Sequence, residues 1–120
     1  MNPTRTLVAL ILLCHAGTAL ARRAAPAPVA PVTRGHLQYR ATNTPDCPGC
    51  VEIWDLARHA EVDAIQVYRP PQAPGLEQDV QWVFVTKLEL HGNHLLVTNE
   101  RGERYRVDLK TKTVKRLAGD

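Results

Sequence analysis

The chain has 120 residues, 15 Lys+Arg against 12 Asp+Glu, a formal net charge of +3, and a composition 44% hydrophobic but only 5% aromatic. That is enough for one domain and too little for two. The charge is too mild to point to a nucleic-acid partner, and the sequence contains no serine, which excludes serine-nucleophile chemistry. Nine prolines and seven glycines favour turns and extended segments over a helical bundle.

At the N-terminus Arg5 precedes an apolar run from Leu7 to Leu13, and Ala19-Leu20-Ala21 places small residues where a signal peptidase reads. Residues 1–21 are therefore expected to be a cleaved secretory signal that includes Cys14. The apolar run is shorter than the roughly 20 residues of a spanning helix, and Arg22 and Arg23 follow it, so no stable membrane span is expected after cleavage. Residues 22–35, opening RRAAPAPVAPVTR, read as a disordered Pro/Ala-rich tether. A single small β domain is expected over 36–118, exported to the periplasm or secreted.

Within that domain the period is two. Leu37, Tyr39 and Ala41 alternate with polar residues; Val51 and Ile53 follow around Trp54, then Ile65 and Val67. Between the last two segments lies DLARHAEVD (55–63), whose leading aspartate suits either a short helix or a polar hairpin loop. The longest strand pattern starts at Val80 and continues through Trp82, Phe84, Leu88 and Leu90, and Val83 and Val85 break its polar parity. Such a break predicts burial on both faces or a bulge. Turns at His91-Gly92-Asn93-His94, Asn99-Glu100-Arg101-Gly102 and Thr111-Lys112-Thr113 separate short strands ending near Leu117. The fold class is thus mainly β, a small antiparallel meander or open sheet.

The stretch Val85–Leu117, with its run HLLVTNERGERYRVDLKTKTVKRL, resembles one blade of a β-propeller of the WD-repeat or quinoprotein type. In such blades a strand ending in an aspartate and an apolar residue turns through Thr or Gly and Lys into the outermost strand. Val51-Glu52-Ile53-Trp54-Asp55-Leu56 is similar to that edge pattern a second time. The resemblance implies a four-stranded meander and carries over no activity or binding residue. Propellers need about four or more blades of roughly 40 residues, and this chain has room for two at most.

Cys47-Pro48-Gly49-Cys50 is the sharpest local motif. Proline second and glycine third in a four-residue turn favour type II geometry, which brings the flanking side chains together. In an exported protein the expected outcome is a disulfide, stabilising by about 2 kcal/mol for so small a loop. A thiol-redox role fits less well: the residues after Cys50 read as strand, and Asp46 and Glu52 disfavour a thiolate. A metal site built from Cys47, Cys50, His91 and His94 has tetrahedral zinc ligand types, although the pairs are far apart in sequence. The aromatic residues at strand spacing read as core. Tyr68 is counted among them, with an alternative: opposite in parity to Ile65 and Val67, it forms with Arg69 and the basic residues Arg101, Arg104 and Arg106 a candidate partner-binding surface.

Between Asp46 and Asp79 seven residues are acidic and two basic, whereas between Arg101 and Arg116 seven are basic and two acidic. The chain therefore reads as bipolar, either as solvated faces or as a surface for a partner. Carboxylate pairs such as Glu100 and Glu103 are nonspecific as acid–base machinery. These observations favour an exported binding module for a protein or cell-envelope partner, without cofactor, with a metal or redox protein as the alternative. Open sheet edges also leave room for edge-strand self-association.

Overall fold

The computed structural model describes residues 26–70, 74 and 82–118. The expected signal at 1–21, the opening of the expected tether and the Val80 start of the long strand lie outside the described residues. Eight strands follow in chain order: β1 (Val32–Arg34), β2 (Leu37–Arg40), β3 (Cys50–Asp55), β4 (Ala60–Gln66), β5 (Val85–His91), β6 (His94–Asn99), β7 (Arg104–Asp108) and β8 (Val114–Arg116). They form two four-stranded antiparallel meanders, β1-β2-β3-β4 and β5-β6-β7-β8. The described residues contain no helix.

Local chemistry explains each departure from the expected boundaries. β1 lies inside the stretch read as tether. Val32 and Thr33 are β-branched, and Gly35 takes φ +63°, so the chain after Pro31 reverses and pairs Val32 with Tyr39. At 55–63 the aspartate suited to capping a helix closes a hairpin instead: Asp55 Oδ1 accepts the Ala57 and Arg58 N–H groups at 2.9 and 3.2 Å. His59 then takes φ +54° before β4 begins. The β7–β8 connection uses the same device, with Asp108 Oδ1 accepting Lys110 N–H at 2.8 Å and Thr111 N–H at 3.1 Å and Lys112 at φ +62°. The two Asp-Leu segments, VEIWDL and YRVDL, thus occupy corresponding places in the two sheets.

The long-strand reading holds from Val85 onward. Val83, Phe84 and Val85 are all buried, and the β5–β6 register shifts between Val85 and Lys87, so both features implied by the broken parity occur together.

Alternation aims one side of each sheet inward. Tyr39, Ala41, Val51, Ile53, Ile65 and Val67 from the first sheet meet Val85, Leu88, Leu95, Val97, Tyr105 and Val107 from the second in one hydrophobic cluster. Val51, Val85, Leu95, Val97 and Val107 have almost no exposed surface. The outward positions of both sheets are mostly polar, so the apolar faces are spent on each other. In a propeller, by contrast, each blade packs against neighbours on two sides.

Polar ties fix how the sheets sit. Near the start of β5 the Asn43 side chain acts as a short piece of strand, accepting Val85 N–H at 2.8 Å and donating to Val85 O at 3.1 Å. At the other end of β5, Arg34 Nη1 donates to Gly92 O at 2.9 Å. Across the far edge, Lys112 Nζ donates to Asp63 Oδ2 and holds that carboxyl below the usual carboxylate range. β1 therefore lies beside β5, and β4 beside the β7–β8 turn.

Candidate functional site: a groove over the Cys47–Cys50 turn

Cys47 and Cys50 form a disulfide with their Cα atoms 5.5 Å apart. The turn between them has the geometry its residues predict: Cys50 N–H donates to Cys47 O at 3.2 Å and Gly49 sits at φ +81°. It is also clamped to the chain leaving β4. Gly49 O accepts Val67 N–H at 2.8 Å. Gln66 Nε2 donates both to Pro48 O at 2.8 Å and to Tyr68 O at 2.6 Å. A Cβ on residue 49 would lie 2.1 Å from Tyr68 O, so both the positive φ and the close approach demand glycine.

Tyr68 carries the clamp into the second sheet. Its ring stacks on Tyr105 with centroids 5.2 Å apart, and its hydroxyl donates to Val83 O. Of the two sequence readings of Tyr68, core and exposed partner surface, the structure shows a half-buried ring packed against the core. The reason is that Tyr68 lies past the end of β4, where strand parity no longer fixes the side-chain direction. Burial, reinforced by Tyr105, Glu100 and Glu103 and opposed by Arg101, pushes the Tyr68 phenol well above its ordinary range. Burial raises Tyr105 as well.

Around this clamp three concavities run in series and share walls. The first, about 380 Å³, lies on the outer face of the first sheet and includes Arg40, Asp46, Cys47, Glu52, Trp54 and Glu61. The second, about 340 Å³, is bounded by Pro45, Asp46, Cys47, Pro48, Gln66, Arg69 and Pro70. The third, about 230 Å³, opens at the end of the sandwich among Tyr68, Arg69, Arg101, Glu103, Tyr105 and Arg116. Asp46 and Cys47 are common to the first and second, Arg69 and Pro70 to the second and third. The result is a groove beside the disulfide turn, with Asp46, Glu52, Glu61 and Arg40 at one end and Arg69, Arg101, Arg116 and Glu103 at the other.

In the first concavity Trp54 faces outward, half-buried beneath the Arg40 guanidinium, which lies 4.2 Å from the ring centroid. Trp54 was grouped with the core aromatics, yet it alternates with Val51 and Ile53 and so belongs to the outer face. Gln38 Oε1 accepts Arg40 Nε–H at 2.6 Å, and Thr42 donates from both N–H and Oγ1 to Glu52 Oε1 at 3.2 and 2.6 Å. These contacts give the floor a fixed shape.

The sequence-derived candidates separate into three places. Tyr68, Arg69 and Arg101 meet in the third concavity. Arg104 and Arg106 lie on the outer face of the second sheet, because Tyr105 and Val107 take the inward positions of β7. His91 and His94 face each other across the Gly92-Asn93 turn, with His91 Nε2 3.6 Å from Glu89. That turn touches Arg34, which pairs with Leu37 and through it with Asp55, whereas Cys50 is at the opposite end of β3. The length of β3, about 17 Å at about 3.3 Å per residue, separates the cysteine pair from the histidine pair. Cys47, Cys50, His91 and His94 are not brought together, and no cluster of three or more metal-ligating side chains occurs among the described residues. Arg116, Glu52 and Arg40 line the groove without belonging to any sequence motif for binding; only the outward parity of Arg40 and Glu52 marks them in the sequence.

No family model matches the chain, and no curated protein matches it.

Replacing Gly49 with alanine forces Cβ onto the Tyr68 carbonyl and should destabilise the fold by at least about 2 kcal/mol. That corresponds to a melting midpoint lower by about 10 °C in differential scanning calorimetry. The raised phenols set an alkaline limit. Below about pH 9 these two phenols are protonated in both states; above about pH 10 they ionise more readily in the unfolded chain than in the folded one, so stability falls as pH rises. In urea titrations across pH 8–11, Tyr68→Phe should cost about 1 kcal/mol at neutral pH through its lost hydrogen bond and show a shallower alkaline decline than the parent chain.

Proposed function

We propose that the chain is an exported binding module that takes an extended segment of a partner polypeptide along the groove over the Cys47–Cys50 turn. The observation that carries this reading is the run of three concavities with shared walls, held by a disulfide turn that is hydrogen-bonded to β4. An elongated surface of proline, aromatic and charged side chains on rigid elements suits a peptide chain better than a compact small molecule. Export is part of the proposal and rests on the N-terminal pattern, Arg5 followed by the Leu7–Leu13 run and Ala19-Leu20-Ala21, together with the paired cysteines. The disulfide in this reading is structural: it fixes the groove wall and does not exchange with the partner.

A photo-reactive amino acid at Thr44, which lines the first concavity, should form a discrete adduct with a polypeptide from the envelope or secreted fraction. The same group at Lys115, on β8, should not. Equal adducts from both positions, or adducts from Lys115 alone, would count against the groove.

A further inference from the structure

We infer that the basic end of the groove, where Arg69, Arg101 and Arg116 converge beside the stacked Tyr68 and Tyr105, is a carboxylate anchor for an acidic residue of the partner polypeptide. The inference rests on the groove reading above and names the chemistry of one end of it.

Three arginines from three separate elements line one cavity of about 230 Å³: Arg69 beyond β4, Arg101 in the β6–β7 turn and Arg116 in β8. Their local partners compensate only part of that charge. Glu103 Oε2 accepts from Arg116 Nη2 at 2.8 Å, and Glu103 Oε1 accepts from Asn99 Nδ2 at 2.9 Å, so this carboxylate is committed on both oxygens. Glu100, the other carboxylate near Tyr68, accepts Phe84 N–H at 3.0 Å. Among the described residues Arg69 donates to the neutral Gln66 amide oxygen, at 3.4 Å. No ion pair between described residues engages Arg69 or Arg101.

The walls suit a carboxylate-bearing side chain. Asn99 holds the β6–β7 turn by accepting Arg101 N–H at 3.0 Å and Glu103 N–H at 3.1 Å, which fixes the backbone from which Arg101 projects. The Tyr68 hydroxyl is turned inward to Val83 O, so what the half-buried Tyr68 adds to the cavity wall is apolar ring surface, against which the ligand's methylene groups can pack. Guanidinium groups match carboxylates with paired, directional hydrogen bonds. A cavity this size holds several waters at about 30 Å³ each, and an Asp or Glu side chain fits the same space. At the opposite end Asp46, Glu52 and Glu61 outnumber the single Arg40, so that end favours a carboxylate less and gives the groove a direction.

The test uses the full folded, oxidised protein and three labelled ten-residue peptides identical except for two central residues, Glu-Glu, Gln-Gln or Lys-Lys. Binding is read by fluorescence anisotropy and by backbone amide shifts. The Glu-Glu peptide should bind at least tenfold more tightly than the Gln-Gln peptide and shift the Arg101, Gly102 and Arg116 amides. Arg101→Gln and Arg69→Gln should each remove most of that advantage, while Arg104→Gln with Arg106→Gln, on the outer face of the second sheet, should leave it in place. If the Glu-Glu and Gln-Gln peptides bind equally and both shift groove amides such as Cys50 and Gln66, the anchor is overturned and the groove reading stands. If no peptide shifts a groove amide, both fall. If the advantage disappears only in the Arg104/Arg106 variant, the attraction is diffuse surface charge and the anchor is likewise overturned.

Discussion

The hydrogen bond from Val67 N–H to the Gly49 carbonyl, made at an approach that leaves no room for a side chain on residue 49, is the contact on which the rest of the molecule turns. It locks the disulfide turn to the strand exit, which sets where Tyr68 lies. Tyr68 in turn reaches the Tyr105 ring in the second sheet and the Val83 backbone that leads into it. A local turn preference, fixed by proline, glycine and two cysteines, is thereby converted into an inter-sheet joint. The apolar cluster supplies most of the driving force for the sheets to meet, and the directional polar joints add fixed points of contact between them.

The same joint gives the groove its form. Pro48, Gln66, Arg69 and Pro70 are wall residues because the turn and the strand exit are held side by side. Three carboxylates, Asp46, Glu52 and Glu61, share the first concavity with Trp54 and Arg40, and three arginines, Arg69, Arg101 and Arg116, share the third with the tyrosine pair and Glu103. A surface divided in this way confers orientation and selectivity on a partner more than raw affinity.

How much of this was legible depended on the range of the interactions. The type II turn at 47–50, the period-two strands and the irregularity at Val83–Val85 are set by neighbours in sequence and were readable from it. The hairpin at 55–63 was ambiguous because Asp55 makes the same first hydrogen bonds at a helix start as in a turn; β3 pairing with the residues that follow decides the matter. β1 was hidden by the Pro/Ala composition around it, since three residues of strand gain their stability from β2 rather than from propensity. The groove was only half legible. Tyr68, Arg69 and Arg101 could be named as basic and aromatic surface residues, but their union with Arg116 and Glu103, and the separation of Arg104 and Arg106 from them, follow from packing two sheets that are far apart in sequence. The cysteine and histidine pairs fail to meet for the same reason: the strand between them is extended.

Amide hydrogen exchange at Val67, compared between the oxidised and reduced protein, tests the joint most directly. The account predicts that Val67 exchanges slowly while the disulfide is intact and loses protection on reduction, together with Tyr68, while Leu95, Val97 and Val107 in the second sheet keep theirs. Unchanged protection at Val67 after reduction would show that the disulfide turn does not hold the strand exit, and would contradict the account.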